Sequence, residues 1–168
     1  EFAAPTMDCI FTLIFSEART ELVGFINGDI LIFKSLLESI SIVASRVENF
    51  VMVGRRYTSE NIPSVPKDLN DLDKLELSTQ SLSQDNGYAI DYFFTRKPFA
   101  LQMAKQFPAF LVGTYRWDNV LLSRFYKSGN CVVVDASQSA PVLHLISHSV
   151  TRHVDRPGAV YNHALATF

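Results

Sequence analysis

The strongest constraint on this chain is a polar break between two apolar runs. Residues 22–26 (Leu-Val-Gly-Phe-Ile) read as a buried strand, Asn27-Gly28-Asp29 interrupts it, and Ile30-Leu31-Ile32-Phe33 follows at once. Asn, Gly and Asp favour tight turns, each through its own backbone or side-chain chemistry. A carboxylate beside a glycine at the carboxyl end of a buried α/β strand is also where such folds hold ligands and metals. Asp29 is therefore a turn residue or a metal ligand, and the sequence on either side has to decide between them.

Helical and strand patterns alternate around this break. Residues 8–19 place Ile10, Phe11, Ile14, Phe15 and Ala18 on one helical face, after Pro5-Thr6. Ser35-Leu36-Leu37-Glu38 has the form of a capping box. The helix it opens runs to about Val47, with Ile40, Val43, Ala44 and Val47 at helical spacing. Residues 50–53 form a strand that stops at Gly54. Helix, strand, helix, strand in this order predicts an α/β domain over residues 1–168: a twisted, mostly parallel sheet flanked by helices. Residues 55–87 break the rhythm with Pro63, Pro66 and many polar side chains. They read as a long polar excursion with one helix marked by Leu69, Leu72 and Leu75. A strand follows at 88–95, a short helix from Pro98 to about Gln106, and a helix at 117–127 closed by Gly129. In that last helix Trp117, Val120, Leu121 and Phe125 face inward. Strands at 131–134 and 142–145 complete the pattern.

Bulk composition narrows the function classes. With 48% hydrophobic and 19% charged residues in 168, the chain can bury a core and is not of the disordered type. Thirteen phenylalanines predict a thick core with sheet in it. Fifteen basic against 17 acidic side chains, a net charge of −2, give no electrostatic case for a nucleic-acid partner. Charges such as Lys34 and Arg46 interrupt every apolar run short of membrane-spanning length. The amino-terminal residues lack the layout of a signal peptide. Cys9 and Cys131 are too isolated for a disulfide framework or zinc knuckle, and are expected to be small buried hydrophobes. None of this assigns a compartment or an oligomeric state.

Polar clusters stand at the ends of the predicted elements: Asn27-Gly28-Asp29, Gly54-Arg55-Arg56, Asp91-Tyr92, Trp117-Asp118-Asn119, Asp135-Ala136 and His144, with His148 and His153 beyond. In this order they resemble nucleotide-diphospho-sugar glycosyltransferases of the GT-A type. In that family a strand ends in Asn-small-Asp-Ile and a later strand in Gly-Arg-Arg. An Asp-Tyr-Phe strand, a Trp-Asp-Asn helix start and a late histidine follow. Arg156-Pro157-Gly158 with Tyr161-Asn162 is similar to the family's tail, so the resemblance runs from Pro5 to Leu165.

The resemblance implies a sugar moved from a nucleotide-diphosphate donor to an acceptor hydroxyl, with Mn²⁺ or Mg²⁺ neutralising the diphosphate. It implies Asp29 as metal ligand and His144 as its partner. Asp118 becomes the base, with Asp91 second. Arg55, Arg56 and Asn27 become donor-binding residues. The chain departs from the pattern in carrying Asn27 where a second metal-turn carboxylate often stands. It also starts at what looks like the helix before the metal strand, so the βαβ unit that holds the nucleotide would lie upstream of Glu1. A non-catalytic binding domain of the same fold is therefore a second reading. A hydrolase using Asp91 and Asp118 as a carboxylate pair is a third. Read without the family, Asp118 is equally a first-turn helix carboxylate stabilised by the dipole. A lone histidine such as His144 on an apolar stretch is more often a satisfied core residue than a ligand, and a pair such as Arg55-Arg56 is more often solvated than an anion clamp.

Overall fold

The most apolar stretches become the central strands: Phe50, Val51 and Met52 are fully shielded from solvent, and Tyr92 beside them is as well. The computed structural model describes residues 5–59, 66–84, 90–114, 116–145 and 157–166. Its elements are α1 (Met7–Glu17), β1 (Leu22–Ile26), β2 (Ile30–Ile32), α2 (Lys34–Arg46), β3 (Phe50–Arg55), β4 (Tyr57–Ser59), α3 (Leu69–Thr79), β5 (Ile90–Arg96), α4 (Lys97–Ala104), α5 (Trp117–Ser128), β6 (Val132–Asp135), β7 (Val142–Leu145) and α6 (Pro157–Ala166).

The strands form two sheets, ordered β1-β5-β3-β6 and β2-β7-β4. β5 is antiparallel to both β1 and β3, β3 and β6 are parallel, β2 and β7 are antiparallel, and β7 and β4 are parallel. The architecture is thus mixed α/β, as expected, but the sheets are mixed and not mostly parallel. The reason is the excursion after β3. A parallel return needs a helix that lies along the sheet and carries the chain back to the other end. α3 instead rests on the small sheet, with Leu72 and Leu75 against Tyr57 and Leu143. The chain therefore enters β5 from the end at which it left β3, and β5 runs backwards.

Alternation along β3 divides the core. Val51 and Val53 face a cluster with Phe11, Phe15, Met103, Trp117 and Phe125, on the side of α1, α4 and α5. Phe50 and Met52 face Leu36, Ile40 and Tyr92, on the side of α2. In α1 the buried stripe is Met7, Phe11 and Phe15, narrower than the sequence suggests, and Ile14 is 39% exposed. The capping box does not form. α2 begins at Lys34, so Ser35 lies inside the first turn and its hydroxyl is buried without a partner; Lys34 pairs with Glu38 at 3.1 Å. Cys9 is exposed and Cys131 half-buried, against the expectation of two buried thiols. Among the described residues no helix is long and apolar enough to cross a membrane.

Two adjacent residues at the end of β5 tie both helical layers to the sheet. Arg96 donates to the carbonyls of Ala44 (2.7 Å) and Glu48 (2.8 Å) at the carboxyl end of α2, and also pairs with Glu21. Lys97 donates to Ala18 (2.6 Å) and Ser16 (3.4 Å) at the carboxyl end of α1. Both cations thus satisfy orphan carbonyls at the negative ends of helix dipoles. At the other end of the chain, the buried amide of Asn162 holds α6. It accepts from Leu111 N (2.8 Å) and donates to Leu111 O (3.0 Å) and to Thr114 Oγ1.

Gly54 and Gly28 make a useful contrast. The ring of Tyr92, whose hydroxyl donates to Ala140 O (3.2 Å), lies so close over Gly54 that an added Cβ would sit 1.9 Å from its oxygen. Beside Gly28 an added Cβ meets nothing within 4 Å, and Gly28 has no positive φ. Gly54→Ala is expected to cost roughly 1–3 kcal/mol through overpacking. Gly28→Ala is expected to stay within about 0.5 kcal/mol of the parent. Urea midpoints of the two variants check both.

Candidate functional site

The two sheets meet along a seam, and the polar residues collect there. β1 and β3 end at the seam, β5 begins there, and β7 takes the place between β2 and β4 that β5 holds between β1 and β3. β1 passes to β2 through a β-turn, Ile30 N donating to Asn27 O at 3.3 Å. The turn prediction therefore holds, yet no residue in it has positive φ, so its backbone does not require a glycine. β3 passes to β4 through Arg56 alone.

Asp91 is placed by a bulge. Gly54 pairs with Tyr92 but Arg55 pairs with Ile90, so Asp91 is the extra residue on β5. Bulges re-aim a side chain in this way. Asp91 is only 2% exposed. Its Oδ1 accepts from Asn27 Nδ2 (2.6 Å) and Arg56 Nη1 (3.2 Å). Asp91 thus sits at the amino end of an antiparallel strand rather than at a carboxyl end, and still meets the ends of β1 and β3. Burial raises its pKa above the ordinary carboxylate value, while Arg56 and Asn27 pull it back down.

Asp29 and His144 form the second part of the site. His144 pairs in register with Ile30 on one side and Thr58 on the other. Its Nε2 lies 3.0 Å from Asp29 Oδ2; the carboxylate is 58% exposed and the imidazole 17%. A negative charge at Asp29 raises the pKa of Asp91, and a positive charge at the site of His144 lowers it.

Asp118 completes the arrangement from α5. Trp117 fixes the first turn of that helix by lodging among Phe11, Phe25 and Phe93, at centroid distances of 6.3, 5.2 and 5.9 Å. Phe25 and Phe93 lie two residues from Asn27 and Asp91, so one aromatic cluster supports all three polar groups. Asp118 Oδ1 accepts from Asn119 N (2.8 Å) and Asn119 Nδ2 (3.0 Å). Burial pushes its pKa up against these bonds and the helix dipole, and the charge of Asp91 adds to the rise. Arg116, just before Trp117, holds φ at 83°, the left-handed region that costs a non-glycine residue about 1–2 kcal/mol. This strained start to α5 was not readable from the residues.

Asn27, Asp29, Arg56, Asp91 and His144 therefore come together, with Asp118 within electrostatic reach. Arg55 does not join them by a side-chain hydrogen bond. Its backbone N–H is taken by Ser137 Oγ (2.9 Å), a buried hydroxyl that also donates to Asp135 and that no sequence signal marked. His148, His153 and Arg156 lie outside the described residues, and His163 is exposed on α6. Among the described residues no three His, Cys, Asp or Glu side chains are grouped to hold a metal on their own. The core contains an apolar cavity of about 20 Å³ lined by Phe11, Phe25 and Phe93 among others, and a groove of about 300 Å³ runs past Asn119, Tyr126 and Val133. The polar cluster lines neither, so its case rests on convergent chemistry and not on a preformed pocket.

The two raised carboxyls have a measurable consequence. Each binds its proton more tightly folded than unfolded. Their stabilisation is complete below the ordinary Asp pKa of about 4 and is lost as pH rises through the raised folded value. Asp118→Asn removes one of these contributions. The fall in unfolding free energy from acid to neutral pH should be shallower in Asp118→Asn than in the parent, measured by urea denaturation at a series of pH values. No family model, curated protein or solved structure matches the chain.

Proposed function

We propose that this chain is a glycosyltransferase-type domain that moves a sugar from a nucleotide-diphosphate donor to a hydroxyl acceptor with a divalent metal ion. The observation that carries the reading is the meeting of Asn27, Asp29, Arg56, Asp91, Asp118 and His144, drawn from five separate segments, at one seam. Scattered structural polar residues have no reason to converge in this way.

The residues at hand suit part of a metal site. Asp29 Oδ2 and His144 Nε2 are a carboxylate-oxygen and imidazole-nitrogen pair, a donor set that suits Mn²⁺ better than the oxygen-seeking Mg²⁺. Two protein ligands are enough only when substrate phosphates and water supply the rest, as is usual for such ions. When bound there, the ion supplies Lewis-acid charge to the diphosphate. Gly28, with open space where a side chain would be, leaves room for a ligand beside that pair.

Asp118 acts as base. The acceptor hydroxyl gives its proton to the Asp118 carboxylate and its oxygen bonds the anomeric carbon. The bond from that carbon to the diphosphate breaks, its electron pair leaving with the nucleoside diphosphate. A carboxylate with a raised pKa is the better proton acceptor near neutrality. Arg56 and Asn27 serve by holding Asp91.

Calorimetric titration tests the reading, with Mn²⁺ and UDP-glucose, UDP-galactose, UDP-N-acetylglucosamine and GDP-mannose. At least one donor should bind in the presence of Mn²⁺, and Asp29→Ala and His144→Ala should each weaken binding at least about tenfold. Binding of none of them by the full-length protein that carries Asp29, or equal binding by its Asp29→Ala variant, overturns it.

A further inference from the structure

The groove beside α5 lies outside the polar cluster, yet it begins one hydrogen bond from it. Asn119 lines the groove, and its Nδ2 donates to Asp118 Oδ1 at 3.0 Å. The other walls are Leu122, Ser123 and Tyr126 from α5 and Val133 from β6. Helical spacing explains the set: Trp117, Leu121 and Phe125 turn into the core, and residues 119, 122, 123 and 126 share an outer face. β6 is the last strand of its sheet, so among the described residues no further strand covers the groove. Its volume of about 300 Å³ stands at the lower end of the range for small-ligand sites.

The lining specifies the chemistry of an occupant. None of its side chains is charged near neutral pH, so the groove suits a neutral ligand. Tyr126 is 77% exposed. A single exposed aromatic is ordinary on a surface. This ring, however, stands in the wall of a groove, with Leu122 and Val133 as apolar neighbours and the polar Ser123 and Asn119 along the same face. An aliphatic ligand would take water from Asn119 and Ser123 and return no hydrogen bond. A pyranose has a C–H face for the aromatic ring and a rim of hydroxyls for the polar groups, so it matches both. We propose that this groove binds a neutral sugar unit of an oligosaccharide acceptor, while the neighbouring unit presents its hydroxyl to Asp118. The proposal rests on the sugar-transfer reading and adds the acceptor class to it, a chain of two or more sugars. Tyr126 and Ser123 hold and select the acceptor, and Asp118 reacts.

The test is saturation-transfer NMR on the full-length protein with Mg²⁺, UDP and GDP. The probes are the methyl glycosides of cellobiose, lactose, maltose and chitobiose. The methyl glycosides of glucose, galactose and N-acetylglucosamine are the single-sugar comparisons, and cyclohexanol is a ring without the hydroxyl rim. At least one disaccharide should bind about tenfold more tightly than its single-sugar counterpart, the worth of one aromatic contact and one hydrogen bond. Tyr126→Ala should remove most of that preference, while Tyr126→Phe, which keeps the ring, should retain it. Ser123→Trp fills the groove and should abolish the preference. Tyr126 is on the surface, so both of its variants should keep the parent's urea midpoint. The proposal is overturned, and the sugar-transfer reading left standing, if a nucleotide binds but no disaccharide does, or if disaccharides bind no better than single sugars. Equal disaccharide binding by Tyr126→Ala or Ser123→Trp, or binding of cyclohexanol in place of the disaccharides, overturns it in the same way. If neither UDP nor GDP binds, the sugar-transfer reading falls, and this proposal with it.

Discussion

Asp91 is a carboxylate placed where water cannot reach it, at the point where the ends of β1 and β3 meet the start of β5. Taking such a group out of water costs several kcal/mol. The fold offsets this by bringing Asn27 and Arg56 to the same oxygen, each bond to a charged group worth about 1.5–3 kcal/mol. Because Asn27 follows β1, Arg56 follows β3 and Asp91 lies on β5, the offset is available only in one register. The bulge that makes Asp91 the extra residue on β5, the glycine that lets Tyr92 lie flat on β3, and the aromatic support under Trp117 all serve to keep that register. Asp29, His144 and Asp118 are arranged around a centre that is already rigid.

Much of this could be read from the residues. The order helix, strand, helix, strand is clear from periodicity, as are the strand at 142–145 and the inward face of α5. The six polar clusters were recognisable as clusters, and five of their side chains meet. Strand direction was not readable, because a period of two is the same whichever way a strand runs. β2 and β4 escaped because three-residue strands are too short to show any period. The box at Ser35 failed for a related reason: its pattern survives a one-residue shift in where the helix starts, and its hydrogen bonds do not. Ser137 and the left-handed Arg116 depend on backbone geometry that leaves no trace in residue type.

The seam also clarifies what kind of site this is. A pocket closed by apolar walls would declare a ligand by its shape. Here the walls are strand ends, one carboxylate is open to solvent, one is sealed, and one is intermediate on a helix. The three therefore differ in exposure although they share a neighbourhood, and a difference in surroundings is the usual basis for dividing tasks among like groups. In the proposed sugar transfer the exposed member would be the metal ligand and the intermediate one the base, while the sealed one holds the strand ends together.

Arg96 and Lys97 carry a consequence for how the chain reaches this state. The residues they cap lie 52 positions earlier, at Ala44, and 79 positions earlier, at Ala18. Isolated helices of 11 and 13 residues are marginal in water even with good sequences, and these two lack side-chain caps at their starts. On the ribosome, α1 and α2 emerge long before the dipeptide that finishes both. The amino-terminal half of the chain therefore waits, with its apolar stripes uncovered, until β5 has been synthesised. Folding of the two faces is then coupled through a single peptide bond, so that neither layer completes without the other.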